Sequence, residues 1–131
     1  MRRSSLAIVG VTSLLAGLFA TGCITPSIPI PPPDPGLMTF TLAGDGANTT
    51  ATFSYPANAN YRDSIVYVYN HDRGLGVIEA ARGDGSVGPT QPVKAAIGEQ
   101  IVVTFQREDL TASTCIRLRN GTQSSTDYCT L

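Results

Sequence analysis

The chain is poor in the residues from which reaction centres are built. It has one histidine, His71, inside the polar run Asn70-His71-Asp72-Arg73-Gly74. No second histidine, cysteine or ordered carboxylate pair stands beside it at ligand spacing, so the run reads as a loop rather than a metal or general-base site. No serine occupies a Gly-x-Ser-x-Gly elbow, and Ser86 follows Gly85 without the earlier glycine such a turn needs. Beyond Arg2 and Arg3, lysine and arginine are scattered singly, which argues against the basic stripe of a nucleic-acid partner. The apolar run from Leu6 to Ala20 is 15 residues long, shorter than the roughly 20 that cross a bilayer core as a helix. These absences leave a chain with no expected cofactor and no expected enzymatic activity.

What is present begins at the N-terminus. Arg2 and Arg3 precede the uncharged run, and small residues follow at Thr21 and Gly22. That is the layout of an export signal over residues 1–22. The segment closes on Ala20-Thr21-Gly22-Cys23, which resembles the lipobox of bacterial lipoproteins, with Ala20 where that family usually has Leu. The resemblance implies that Cys23 is lipidated and becomes the first residue of the mature chain. It implies a bacterial cell envelope location with a membrane partner reached through the lipid. Ile24, in place of the aspartate that commonly retains such proteins at the inner membrane, leans towards the outer membrane. Anchoring by more than one acyl chain is stable where a single chain is marginal. The other readings of the segment are ordinary secretion with cleavage after a small residue and an uncleaved membrane anchor.

Residues 23–36 continue as a proline-rich linker. Pro26, Pro29, Pro31, Pro32, Pro33 and Pro35 each fix φ and remove a donor. Polyproline II at about 3.1 Å per residue gives a semi-rigid stalk between lipid and domain; the alternative is a PxxP ligand. Removing Arg2 and Arg3 leaves seven basic residues against ten acidic ones, a net charge of −3. With Cys23 assigned to lipid, Cys115 and Cys129 remain, an even pair that an oxidising compartment joins as one disulfide.

Residues 37–131 form the domain, and one small core is all this length supports. Gly, Pro, Asn and Asp punctuate strand-like runs at the spacing of an all-β sandwich or barrel. Met38, Phe40 and Leu42 share one face of a strand over 37–43. Ala51, Phe53 and Tyr55 share one over 49–55, and Ile101, Val103 and Phe105 one over 100–107. The run 64–70 is apolar on both faces and reads as central. Residues 75–81 and 92–96 are weaker strands, and Arg107 to Ser113 reads as a loop that holds one helical turn. If Cys115 lies opposite Cys129, then Ile116 faces Tyr128, Arg117 faces Asp127 and Leu118 faces Thr126, with a long loop across Asn120–Ser124.

The order Gly74, Asp84-Gly85-Ser86-Val87, Pro92-Val93-Lys94-Ala95 and Gly98-Glu99-Gln100 is similar to bacterial Ig-like and carboxypeptidase-regulatory-like modules. There an Asp-Gly-Ser turn leads to a short strand and a Gly-Asp/Glu turn leads into a later one. The likeness implies a single Ig-like β-sandwich of about seven antiparallel strands and carries no catalytic residue.

Other motifs have plainer readings. Asp45, Asp72 and Asp84 match no calcium loop. Arg82-Gly83-Asp84 is an integrin-type tripeptide that an Asp-Gly turn already explains, and the sequons at Asn48 and Asn120 read as turns. Tyr67 and Tyr69 project to one side of a strand and are the candidate ligand-binding residues, a platform for sugar or peptide, with a core or rim position as the plain alternative. The expectation is an envelope lipoprotein presenting a binding or structural module to an envelope protein or glycan. The alternative is a periplasmic inhibitor or assembly factor for one envelope protein.

Overall fold

The computed structural model describes residues 28–130; Cys23 and the export segment lie outside them. Two antiparallel four-stranded sheets pack face to face as a β-sandwich. The strands are β1 (Thr39–Ala43), β2 (Thr50–Ser54), β3 (Ile65–Asn70), β4 (Leu75–Ala80), β5 (Val93–Lys94), β6 (Gln100–Arg107), β7 (Leu110–Arg117) and β8 (Gly121–Thr122). One sheet has the order β5-β2-β1-β8 and the other β4-β3-β6-β7. Every strand-like run named from the sequence contributes a strand, and the doubly apolar run 64–70 contains β3, flanked by β4 and β6.

Period-two alternation places the core. Phe40, Phe53, Val66, Val68, Ile101, Val103, Phe105 and Ile116 all point between the sheets and are buried. An aromatic cluster fills one end. Tyr61 stacks on Phe105 with ring centroids 4.0 Å apart, and Tyr55 meets both edge-on at 5.5 and 5.4 Å. Aromatic pairs in such geometries contribute about 1 kcal/mol beyond the area they bury.

Sequence expectations are corrected at two loops. The segment Arg107–Ser113 holds no helical turn. Leu110 pairs with Arg107 across a two-residue hairpin, and Glu108 takes φ 55° at its tip. The charges at Arg107, Glu108 and Asp109 mark a solvated tip, while Ala112 behind them is buried in the core. The loop across Asn120–Ser124 contains β8, which pairs Gly121 with Phe40 and Thr122 with Thr39. The side chain of Gln123 draws the chain into this path. Its Nε2 donates to the carbonyls of Arg119 and Gly121, and its Oε1 accepts from the Arg119 amide.

The disulfide joins Cys115 to Cys129 with Cα atoms 5.1 Å apart. Ile116 bridges to Tyr128 in the expected register, and the Cys129 amide donates to the Cys115 carbonyl. The register ends there. The Leu118 amide bonds to Glu99, and Asp127 pairs with Arg119 at 3.4 Å instead of Arg117.

The proline segment also differs from a free stalk. Ile30 is 6% exposed, and Pro33 and Pro35 are buried. Tyr61 Oη donates to the Pro31 carbonyl at 2.8 Å and Thr114 Oγ1 to the Pro33 carbonyl at 2.6 Å. The Asp34 amide donates to Tyr55 Oη at 3.1 Å. Prolines retain their carbonyls as acceptors, so buried hydroxyls of the sandwich use them. Residues 30–36 thus form a strap that closes one side of the core, and any free spacer ends before Ile30.

Candidate functional site

The candidate ligand-binding residues, Tyr67 and Tyr69, fall on the outer face of the β4-β3-β6-β7 sheet. On β3, side chains alternate: Val66, Val68 and Asn70 enter the core, and Ile65, Tyr67 and Tyr69 leave it. Register then assigns their neighbours. Tyr67 lies between Ile78 of β4 and Thr104 of β6, and Tyr69 lies between Gly76 and Val102. Ile65 lies between Ala80 and Gln106. The result is an aromatic and aliphatic surface with no charged side chain among these positions. Ile78 is 66% exposed, Tyr69 41% and Ile65 38%.

Polar contacts fix the tyrosines. Tyr67 Oη donates to Gln106 Oε1 at 2.8 Å, which holds the ring along the sheet. Tyr69 meets His71 edge-on with centroids 6.4 Å apart. Gly76 has no side chain, and a Cβ there would run into the Val68 carbonyl and come within 3.0 Å of Tyr69 Cα. The tyrosines form a ridge between two shallow hollows. The larger, about 600 Å³, is lined by Tyr67, Tyr69, His71, Val102 and Thr104. The smaller, about 200 Å³, lies on the Gly76 and Ile78 side.

The polar residues elsewhere are committed to structure. Asn70 is fully buried. Its Nδ2 donates to the Lys94 carbonyl at 2.9 Å and to Glu99 Oε2 at 2.7 Å, and its Oδ1 accepts from the Asp72 amide at 3.1 Å. Arg73 Nε reaches Glu99 at 2.8 Å. Burial raises the affinity of Glu99 for a proton, but hydrogen bonds from Asn70, the Ala96 amide and Arg73, with the charge of Arg73, outweigh it and hold the carboxyl below its ordinary range. This network ties the β3–β4 turn to the β5–β6 loop at one end of the sandwich. Nothing in the sequence distinguished Asn70 from a turn residue. Its burial follows from its place as the last inward position of β3.

The remaining motifs resolve as turns. Asp72 Oδ2 accepts the Gln100 amide at 2.8 Å. Asp84 Oδ1 accepts the Ser86 amide at 2.9 Å and the Ser86 hydroxyl at 2.6 Å; these bonds hold its carboxyl below the usual range. Arg82 Nη2 donates to the Gly88 carbonyl at 2.7 Å. Both charged ends of the Arg82-Gly83-Asp84 tripeptide are therefore engaged within their own loop. Gly85, at φ 82°, approaches the Asn58 backbone where any Cβ would collide. His71 sits on the rim of the larger hollow with its amide bonded to the Gln100 carbonyl at 2.9 Å.

Among the described residues no group of three or more His, Cys, Asp or Glu is placed to hold a metal, and no helix is long and apolar enough to cross a membrane. Sequence reasoning put Tyr67 and Tyr69 on one side of a strand, as the structure has them, but did not single out Ile65 and Ile78 beside them. The pattern of β3 shows which residues share a face, whereas pairing Tyr67 with Ile78 depends on a register that only the turn at His71–Gly74 sets. No protein-family model, curated protein or solved structure matches the chain.

Proposed function

We propose that this chain is a bacterial cell-envelope lipoprotein, anchored through Cys23, whose β-sandwich is a non-catalytic binding module. The observation that carries the binding role is the exposed Tyr67-Tyr69-Ile78 surface. Aromatic and aliphatic side chains stand there together, free of charge, on the outer face of a four-stranded sheet. The likeness to Ig-like modules is supported by the order β4-β3-β6-β7 against β5-β2-β1. It is supported too by the turns at Asp84-Gly85-Ser86 and Gly98-Glu99, which deliver the chain to the Tyr55–Val87 bridge and to β6. The lipid anchor is supported by the Ala20-Thr21-Gly22-Cys23 run and is consistent with an oxidised Cys115–Cys129 pair.

The isoleucines favour one ligand class over the other. A glycan uses the flat face of a tyrosine and surrounding hydrogen-bonding groups. Ile65 and Ile78 flank the tyrosines instead, and this chemistry is that of a protein contact, rich in tyrosine and depleted of charge at its centre. The favoured ligand is one envelope protein, which also accommodates a role as inhibitor or assembly factor. Two experiments test the reading. Metabolic labelling with a lipid analogue is expected to mark the wild type and spare Cys23→Ser; a mature protein that keeps Met1 and carries no fatty acid overturns the anchor. A photo-reactive residue at position 69 is expected to capture one stoichiometric protein in the envelope, while the same residue at Thr41, on the outer face of the other sheet, does not. Equal capture at both positions, or enrichment on glycan, overturns the assignment of the face.

A further inference from the structure

The hydrogen-bond phase of β3 determines which backbone groups of β4 are free. The Ala81 amide donates to the Ser64 carbonyl at 2.8 Å, and the His71 amide donates to the Gln100 carbonyl at 2.9 Å. Antiparallel bonds alternate along a strand. Even-numbered residues of β3 therefore bond to β4, and odd-numbered ones to β6. On β4, Leu75, Val77 and Glu79 bond inward to Asn70, Val68 and Val66. Gly76, Ile78 and Ala80 turn their N–H and C=O groups away from the sheet, and all three are exposed. Among the described residues β3 is the strand that pairs with β4, which leaves this edge bare.

Bare edges are normally guarded by lysine, proline or a bulge. The sequence Leu75-Gly-Val-Ile-Glu-Ala80 has no lysine, proline or bulge, and its only guard is a single charge at an inward position. Its one charge, Glu79, is occupied at the loop below, where Oε1 accepts the Gln91 amide at 2.6 Å. The edge also continues into the apolar outer face through Ile78.

We propose that β4 pairs antiparallel with β4 of a second copy of this chain about a twofold axis. In this pairing Ile78 faces Ile78, Gly76 faces Ala80, and Val77 faces Glu79. The argument is self-complementarity. This register gives every outward amide and carbonyl of Gly76, Ile78 and Ala80 a partner, sets the smallest residues against each other, and never opposes Glu79 to its twin. A shift by two residues in either direction strands an outward pair and leaves Ile78 without its counterpart. A foreign strand would use the same backbone groups but nothing of this side-chain pattern. The pairing fuses two four-stranded sheets into one and joins the two Tyr67-Ile78 surfaces, whatever that surface binds and however the chain is anchored.

The register makes the test sharp. Directly opposed, hydrogen-bonded Cα atoms lie about 5.5 Å apart, within disulfide reach. Residues offset by four positions lie about 14 Å apart and are beyond it. Purified full chain carrying Ile78→Cys is expected to form a double-mass species under mild oxidant, with a 78–78 linked peptide on mapping. Ala80→Cys, and Ile97→Cys on an exposed loop, are expected to give no corresponding link. Ile78→Pro removes an outward N–H that makes no internal bond, so it is expected to keep the β circular dichroism while light scattering falls from twice the monomer mass to the monomer mass. A 78–78 link no more abundant than the Ile97→Cys background, an equal link at Ala80→Cys, or a wild type that scatters as a monomer at all concentrations overturns the proposal.

Discussion

The two edges of the β4-β3-β6-β7 sheet are treated in opposite ways. The β7 edge is closed three times over: the strap passes beside it with Thr114 bonded to Pro33, the C-terminal segment bridges Tyr128 to Ile116, and a disulfide binds that segment in place. The β4 edge has no such cover among the described residues. Unpaired strand backbone invites pairing, and one sheet carries both the remedy and the exposure. The difference teaches that one sheet of this fold closes one edge with three devices and leaves the backbone of the other unpaired among the described residues. Among the described residues the strap, the C-terminal bridge and the disulfide all lie on the β7 side, and β4 carries only the inward charge of Glu79.

The comparison can be broken most severely at the disulfide. Cys115→Ser with Cys129→Ser is expected to cost about 3 kcal/mol, read by denaturant unfolding, because the closed loop no longer restricts the unfolded chain. A loss near zero would mean that the C-terminal segment holds the β7 edge without its bond. Next is the strap. Ile30→Ala removes a buried aliphatic side chain at the margin of the core, and about 2 kcal/mol should be lost. A chain truncated before Ile30 should keep full stability, since the strap contacts described all run through Ile30 and the residues after it.

A smaller effect belongs to the hydroxyl that holds the strap. Tyr61→Phe removes the bond to the Pro31 carbonyl and should cost about 1 kcal/mol. The same contact predicts a pH dependence. Burial pushes the hydroxyls of Tyr55 and Tyr61 above the ordinary value of 10.0. The folded state therefore holds these protons more tightly than the unfolded state. Their contribution is complete below about pH 10 and falls as the pH rises towards the folded values. Stability measured across alkaline pH should decline from that point, and Tyr61→Phe should decline less steeply.

The smallest effect is expected on the other edge. Ile78→Lys exposes no core and should change stability by less than about 0.5 kcal/mol, yet it places like charges together at the proposed twofold. A large loss of stability in dilute protein would mean that Ile78 is packed within its own molecule.

How far the sequence revealed this architecture depended on the scale of the interaction. Alternation at Met38-Phe40, Ala51-Phe53-Tyr55 and Ile101-Val103-Phe105 was legible because period two is a local property and a buried face demands it. The Ile116–Tyr128 bridge was legible because a disulfide at Cys115–Cys129 fixes a register without knowledge of the rest. The strap was hidden. Proline excludes helix and central strand, and that exclusion is compatible with a free stalk or a docked segment; the carbonyls of Pro31 and Pro33 find their donors on Tyr61 and Thr114, 30 and 81 residues away. The path of 120–123 was hidden for a similar reason, since it turns on the three bonds of one glutamine side chain. Of the candidate site, the tyrosines were visible and their aliphatic neighbours were not, because cross-strand neighbours come from register.

Amide hydrogen exchange along β4 in the exported, purified protein tests the open edge most directly. The account predicts that Val77 and Glu79 exchange slowly throughout, and that Ile78 exchanges fast in dilute solution and slows as the protein is concentrated. An Ile78 amide that is slow at every concentration would show the edge to be covered from within, and one that stays fast at every concentration would show that no second copy pairs with it.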